Sequence, residues 1–226
     1  MATRNASAEE LSRCSPSSLS RRVARPIKAR LRDQYRGTRI FNSEMKFTNM
    51  KLSLQLENET FQLAQPSDSY LEGVEALLND PFVAEWLGGC RSRASIADAI
   101  EREGAHWREH GFGPWLLIGQ NHARVIGRGG IRYADILGKR EVELFYAIRP
   151  SYWGKGLGSF IVRSALRLAF EQAALPSVIV FTMPTNKASL CLIDKFHFSK
   201  EGEFDHAGLP HILFRLNRAA WMASAK

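Results

Sequence analysis

Gly154-Lys155-Gly156-Leu157-Gly158 lies between a strand-like run and a helix-like run, and it constrains this chain more than any other segment. Three glycines at alternate positions permit a tight turn and let the backbone approach a ligand closely. The helix that follows leaves its first N–H groups unpaired and aimed into the loop. Those amides and the helix dipole form an anion site. Lys155 adds a full positive charge, and a pyrophosphate is the expected guest. A P-loop requires G-x-x-x-x-G-K-[ST], which is absent. A dinucleotide fold requires G-x-G-x-x-G near the first strand of a Rossmann unit. Here the spacing is G-x-G-x-G, two-thirds along the chain. Taken alone, that spacing also fits a glycine-rich turn that holds no ligand.

The flanking segments alternate between strand and helix patterns. Phe61-Gln62-Leu63 reads as a first strand. Leu71, Val74, Leu77 and Leu78 recur at helical spacing, with Ser67 or Asp68 as the cap. A second helix is expected over 95–109, with Ile96, Ile100 and Trp107 on its apolar face and a break at residues 111–113. Trp115-Leu116-Leu117-Ile118 and the run 124–131 read as a hairpin, and 142–148 as the next strand. A helix over 158–173 buries Ile161, Val162, Ala165, Leu168 and Ala169. Val178-Ile179-Val180-Phe181 is wholly apolar, as a strand covered on both faces should be. A helix over 187–196 and a strand over 211–216 complete the domain. Strand 142–148, the 158–173 helix and strand 178–181 form a βαβ unit with parallel strands. The fold class is therefore α/β, with a mixed sheet.

The chain has 226 residues and a net charge of +8. Residues 1–50 hold 11 Lys and Arg against four acids, a net +7, which leaves +1 for the remainder. This Ser- and Arg-rich segment buries too little to order itself and reads as a basic, disordered N-terminal extension. Met45 and Met50 are alternative starts. A basic arm contacting nucleic acid and an organellar transit peptide are the competing readings. The folded domain is placed at 51–220. Cys14, Cys90 and Cys191 suggest neither a disulfide framework nor a metal site. No apolar run reaches the roughly 20 residues of a membrane span. A cytoplasmic protein without a membrane partner, monomeric or homodimeric, is expected.

VELFYAIRPSYWGKGLGS resembles the coenzyme A signature of the GNAT acyltransferase superfamily. It is most similar to the branch that contains the ribosomal-protein N-terminal-alanine acetyltransferases. FTMPTNKASLCLIDKFHF resembles the family's later strand and helix, with Asn186, Ser189, Lys195 and Phe198 matching. The resemblance covers roughly residues 51–217. It implies a mostly antiparallel central sheet with flanking helices and a splayed parallel strand pair, 142–148 and 178–182. It further implies acetyl-CoA as co-substrate. The backbone of Ala147 and Ile148 would hold the pantetheine arm. Trp153, Gly154, Lys155, Gly156, Leu157, Gly158 and Ser159 would form the pyrophosphate loop, and Asn186 would order the arm. An amine would attack the thioester directly, with Ser189 as acid for the leaving thiolate. Ile193 stands where many members carry a Tyr acid, and His197 replaces the Gly of a Gly-Phe pair.

Glu143, on the strand beside the expected thioester, is the first candidate for base or water-orienting group. The alternative is a carboxylate paired with a nearby Arg. His211 either faces the acceptor or is a structural histidine. Trp86, Trp107, Phe112 and Trp115 are core or pocket-wall residues. Cys191 reads as a small core residue rather than a nucleophile. Two functions are expected from these residues. One is an N-acetyltransferase acting on a protein N-terminus or a small-molecule amine. The other is a non-catalytic acyl-CoA-binding module tethered to RNA or the ribosome by the basic arm.

Overall fold

The computed structural model describes residues 52–56, 59–120 and 124–224. The basic segment 1–50, and with it the readings of that arm, lies outside the described residues.

β1 (Ser53–Leu56), β2 (Glu59–Ala64), β3 (Pro114–Gly119), β4 (Arg124–Ile136) and β5 (Lys139–Ile148) form an antiparallel run. β6 (Ser177–Thr182) lies parallel to β5. The sheet ends with β8 (Leu209–Asn217) and β7 (Ser199–His206), both antiparallel, in the order β1-β2-β3-β4-β5-β6-β8-β7. The expected mixed, mostly antiparallel sheet with one parallel pair is observed.

Helices cover both faces, and the strand sequences show why. In β3 every residue is buried. Trp115 and Leu117 join one apolar cluster, while Leu116 and Ile118 join another. That two-residue alternation places the clusters on opposite faces. The second cluster is closed by Val74, Leu77 and Leu78 of α1 (Leu71–Leu78), Val83 of α2 (Pro81–Ala84), and Ile96 and Ile100 of α3 (Arg93–His110). The first is closed by Leu157, Ile161, Val162, Ala165 and Leu166 of α4 (Leu157–Arg167), by Ile193 of α5 (Lys187–Lys195), and by Trp221 of α6 (Arg218–Ser224). Gly129 makes the approach of α4 feasible. A Cβ there would lie 2.8 Å from Ile161 and 2.6 Å from the Phe145 carbonyl oxygen.

Several boundaries differ from the sequence reading. β4 and β5 run through the polar stretch 132–141, because they pair along their whole length to a two-residue turn. Leu137 and Gly138, both with positive φ, make that turn, a geometry suited to the twist of a hairpin. β1, β7 and α6 have no strong periodic signal and were not expected. Ser92, rather than a later residue, caps α3 by accepting from the Ser95 N–H. Ser67 makes no side-chain cap.

Candidate functional site

The sheet is split between its two parallel strands. β5 and β6 share one pairing, Glu143 with Ile179. Beyond it, β5 stays on β4 as far as Ile148 and Gly127, while β6 stays on β8 as far as Thr182 and Ile212. A gap therefore opens toward the C-terminal ends of both strands.

Strand alternation shows which backbone groups face the gap. The Arg149 N–H donates to the Ile126 carbonyl at 2.9 Å. Counting back along the antiparallel ladder, Ala147, Phe145 and Glu143 direct their N–H and C=O toward β4. Tyr146 and Ile148 direct theirs toward the gap. The sequence expectation paired Ala147 with Ile148; this geometry puts Tyr146 in place of Ala147, because adjacent residues of a strand bond in opposite directions. Trp153 Nε1 donates to the Ile148 carbonyl at 2.7 Å, which leaves the Ile148 N–H for a guest. The half-exposed Trp153 thus closes the strand end and leads the chain into the glycine loop.

That loop ends at the start of α4. Gly156 is the N-cap residue, with φ 82, and no side chain caps the helix. The amides of Leu157, Gly158 and Ser159 are therefore the orphan donors of a helix start. Gly154 is likewise left-handed, with φ 74. A Cβ on Gly154 or Gly156 would meet nothing within 4 Å, so the loop borders open space. Two lysines supply charge. Lys155 stands over the Tyr152 ring at 5.0 Å. Lys195, at the end of α5, donates to Ser159 Oγ at 3.0 Å. The second lysine is 36 residues from the first helical serine, a proximity that only the tertiary fold creates.

A cavity of about 130 Å³ occupies the split. Glu143, Tyr146, Phe181, Asn186, Ser189 and His211 are among its lining residues, with Trp86 and Leu87 over one side. The other aromatic candidates, Trp107, Phe112 and Trp115, are buried in the core. Asn186 is the N-cap of α5; its Oδ1 accepts from the Ser189 N–H at 3.1 Å. This bond fixes the first turn of the helix and sets Ser189 at the cavity wall. Cys191 is exposed, contrary to the expectation of a core residue. The buried residue of α5 is Ile193, and Cys191 lies on a different face.

Glu143 is buried, and its Oε2 accepts from Arg132 Nε at 2.8 Å. The expected cavity carboxylate and the expected ion pair are thus the same residue. Arg128 and Arg132 both stack on Phe145, at 5.2 and 4.5 Å from its ring centre. Arg128 is in turn paired with Glu103 of α3, and both are buried. Burial pushes Glu103 upward and Arg128 downward from their ordinary values, while each charge opposes the shift of the other.

Tyr146 was missed by motif reading. Its hydroxyl is buried and makes no hydrogen bond of good geometry. Burial pushes it up to about 12, and the nearby Ser189 side chain works against that shift. A buried hydroxyl without a partner costs roughly 1–3 kcal/mol. The signal for it was available in principle: Tyr146 is two residues before the strand end that the glycine loop marks.

A split between parallel neighbours, beside an uncapped helix start, is the architecture that the sequence resemblance implied. Residues 61–199 match the family model described as "Acetyltransferase (GNAT) domain". The chain belongs to the GNAT acetyltransferase family. It is 26% identical over 150 residues to the uncharacterized N-acetyltransferase YoaA of Bacillus subtilis (strain 168), a match covering 65% of this chain and 84% of that protein. The ribosomal-protein-S5-alanine acetyltransferase of Vibrio fischeri superposes with a TM-score of 0.60 at 20% identity, over 76% of this chain and 99% of that one. The aminoglycoside acetyltransferase AAC(6')-Ib, solved in complex with coenzyme A, superposes with a TM-score of 0.60 at 18% identity, over 74% and 99% of the two chains. At these identities the solved structures share the fold with this protein. Among the described residues no helix is long and apolar enough to cross a membrane.

Proposed function

We propose that this protein is an N-acetyltransferase that takes its acetyl group from acetyl-CoA and transfers it to a primary amine by direct attack. The observation that carries this reading is the unpaired backbone of Tyr146 and the unpaired N–H of Ile148, in a split that leads to an uncapped, lysine-flanked helix start. Backbone N–H and C=O groups left facing a gap require a partner. A pantetheine arm, with two amides spaced along an extended chain, can act as the missing strand. The diphosphate at its end suits the amides of residues 157–159 and the charges of Lys155 and Lys195. The open space around Gly154 and Gly156 is where a phosphate would approach the loop backbone. The relatives solved with coenzyme A or acetyl-CoA support the same donor.

The thioester supplies an activated acetyl carbon and a thiolate leaving group. The chain supplies position and charge. Asn186 holds the first turn of α5, so that Ser189 and the Tyr146 hydroxyl meet at one wall of the cavity. Ser189 donates a proton to the departing sulfur, with the Tyr146 hydroxyl beside it. Glu143 contributes a carboxylate that attracts and orients the acceptor ammonium. Its pairing with Arg132 keeps that carboxylate fixed.

Thiol release from acetyl-CoA, with mass spectrometry of the product, tests the reading. Tryptamine, spermidine, kanamycin and an alanine-initiated peptide are the acceptors. Acetylation of at least one of them is expected, with one thiol released per acetyl group transferred. Coenzyme binding without transfer to any of them would instead identify a non-catalytic acyl-CoA-binding module.

A further inference from the structure

His211 lies on β8 opposite Phe204 of β7, one residue past the last pairing of β8 with β6. That position is the open end of the split, and the ring lines the same cavity as Glu143 and Ser189. The residue is buried. Its Nδ1 is 2.9 Å from the Leu209 carbonyl oxygen. A carbonyl only accepts, so Nδ1 carries the hydrogen, and in the neutral ring Nε2 presents a lone pair. Nε2 has no hydrogen-bond partner among the described residues. The ring cannot turn freely. It stands edge-on to Phe181, at 5.4 Å between centres, and to His206, at 5.6 Å. An orienting acceptor on one nitrogen and a free lone pair on the other is the arrangement a general base requires.

We propose that His211 is the general base of the transfer, accepting through Nε2 a proton from the acceptor ammonium. This rests on the transferase reading given above. Glu143 complements it: with Oε2 held by Arg132, that carboxylate attracts the cation while the imidazole removes its proton. The charged and titratable groups around the ring are Glu143 and the Tyr146 hydroxyl across the cavity on β5 and His206 on β7. Asp205, between Phe204 and His206, projects from the other face of β7 by strand alternation. Cavity residues from β6 and α5 bring no charge to it.

The protons and bonds balance. One ammonium N–H bond breaks and an Nε2–H bond forms. The freed nitrogen lone pair forms the N–C bond as the C–S bond breaks and its electrons go to sulfur. Ser189 passes its hydroxyl proton to that sulfur, giving the coenzyme thiol, and takes up the second proton lost by nitrogen. The imidazolium then releases its proton to solvent.

His211→Asn tests the assignment, because its amide can still donate to the Leu209 carbonyl while Nε2 is deleted. With the best acceptor of the amine panel, kcat/KM is expected to fall about 10²–10⁴-fold, with CoA affinity unchanged within about twofold. The acid limb expected in the wild-type pH profile of kcat/KM should be absent from the variant. Added imidazole should restore part of the activity of His211→Ala. A His211→Asn enzyme within about threefold of wild type, or one that is slow but keeps the wild-type acid limb, overturns the assignment. Wild-type protein that binds CoA yet acetylates no amine overturns the transferase reading instead.

Discussion

Replacing Gly156 by alanine and by aspartate separates the two demands on the loop, left-handed backbone and absence of negative charge. Gly156 has φ 82 as the N-cap of α4. Any L side chain there costs about 1–2 kcal/mol. A Cβ would meet nothing within 4 Å, so no steric penalty is added. Gly156→Ala should therefore lower stability by that amount, about 2–8 °C in Tm for a domain of this size, and its methyl group, in the space where a phosphate would approach, reads the purely steric loss of coenzyme affinity. Asp tolerates the same backbone at least as well, but adds a carboxylate. At ~6 Å from the two charges of a diphosphate, the repulsion is about 1.4 kcal/mol in a water-like dielectric and about 5.5 kcal/mol at the effective dielectric of a protein surface. That corresponds to a loss of about 10- to 10⁴-fold in affinity. Isothermal titration with CoA at low salt and at about 0.5 M salt reads the effect, which should shrink as salt screens it. An aspartate variant that binds CoA within twofold of the alanine variant would refute an anion site at this helix start.

Tyr146→Phe should lower kcat by about 10²-fold while CoA affinity changes little. If Tyr146 and Ser189 act as one unit, the double variant with Ser189→Ala will be no slower than the slower single variant; additive losses would separate them. Glu103→Gln leaves the Arg128 charge buried without its partner and should cost about 3–5 kcal/mol, read from urea unfolding; a loss under 1 kcal/mol would show that water or another acid compensates. His197 ends α5 with φ 58, its N–H bonded to the Asp194 carbonyl. His197→Gly should raise stability by about 0.5–1 kcal/mol, the left-handed strain less the greater freedom of unfolded glycine, and a lower urea midpoint would contradict it. His106 is held neutral, with Nδ1 on the Phe112 carbonyl and Nε2 accepting from the Tyr133 N–H. Burial pushes it from 6.5 down to about 4, and it lowers His110 as well. The unfolded chain binds these protons first, so stability is full above pH 6.5 and falls as pH drops toward 4; a urea midpoint flat across that window would contradict it.

The glycine loop was legible because its meaning is local: three glycines, a lysine and an amphipathic helix lie within a few turns of one another. The buried parallel strand was legible for the same reason, since the short, β-branched apolar run Val178-Ile179-Val180 suits a strand covered on both faces. What the sequence left open depends on long-range placement. Lys195 reaches Ser159 only because α5 packs beside α4. Glu143 could be read as base or as ion-pair partner, and only the pairing of β4 with β5 brings Arg132 opposite it. Ala147 and Tyr146 are neighbours in sequence, and hydrogen-bond parity along the strand, fixed by the β4 pairing, distinguishes them. β7 was missed because Phe204 is its one large apolar residue, and α6 because seven residues are too few to show a helical period; both are ordered by β8 and the core.

Thermal unfolding with acetyl-CoA, CoA, ATP and NAD reads occupancy of the split between β5 and β6. At about 100 times the dissociation constant, a specific ligand stabilises by about 2.7 kcal/mol, a rise of about 5–10 °C here. That rise is expected with acetyl-CoA and with CoA, none with NAD or ATP, and its loss in Gly156→Asp. An unchanged Tm with both coenzymes, at concentrations saturating for other acetyltransferases, would contradict the claim that the split between β5 and β6 is a coenzyme site.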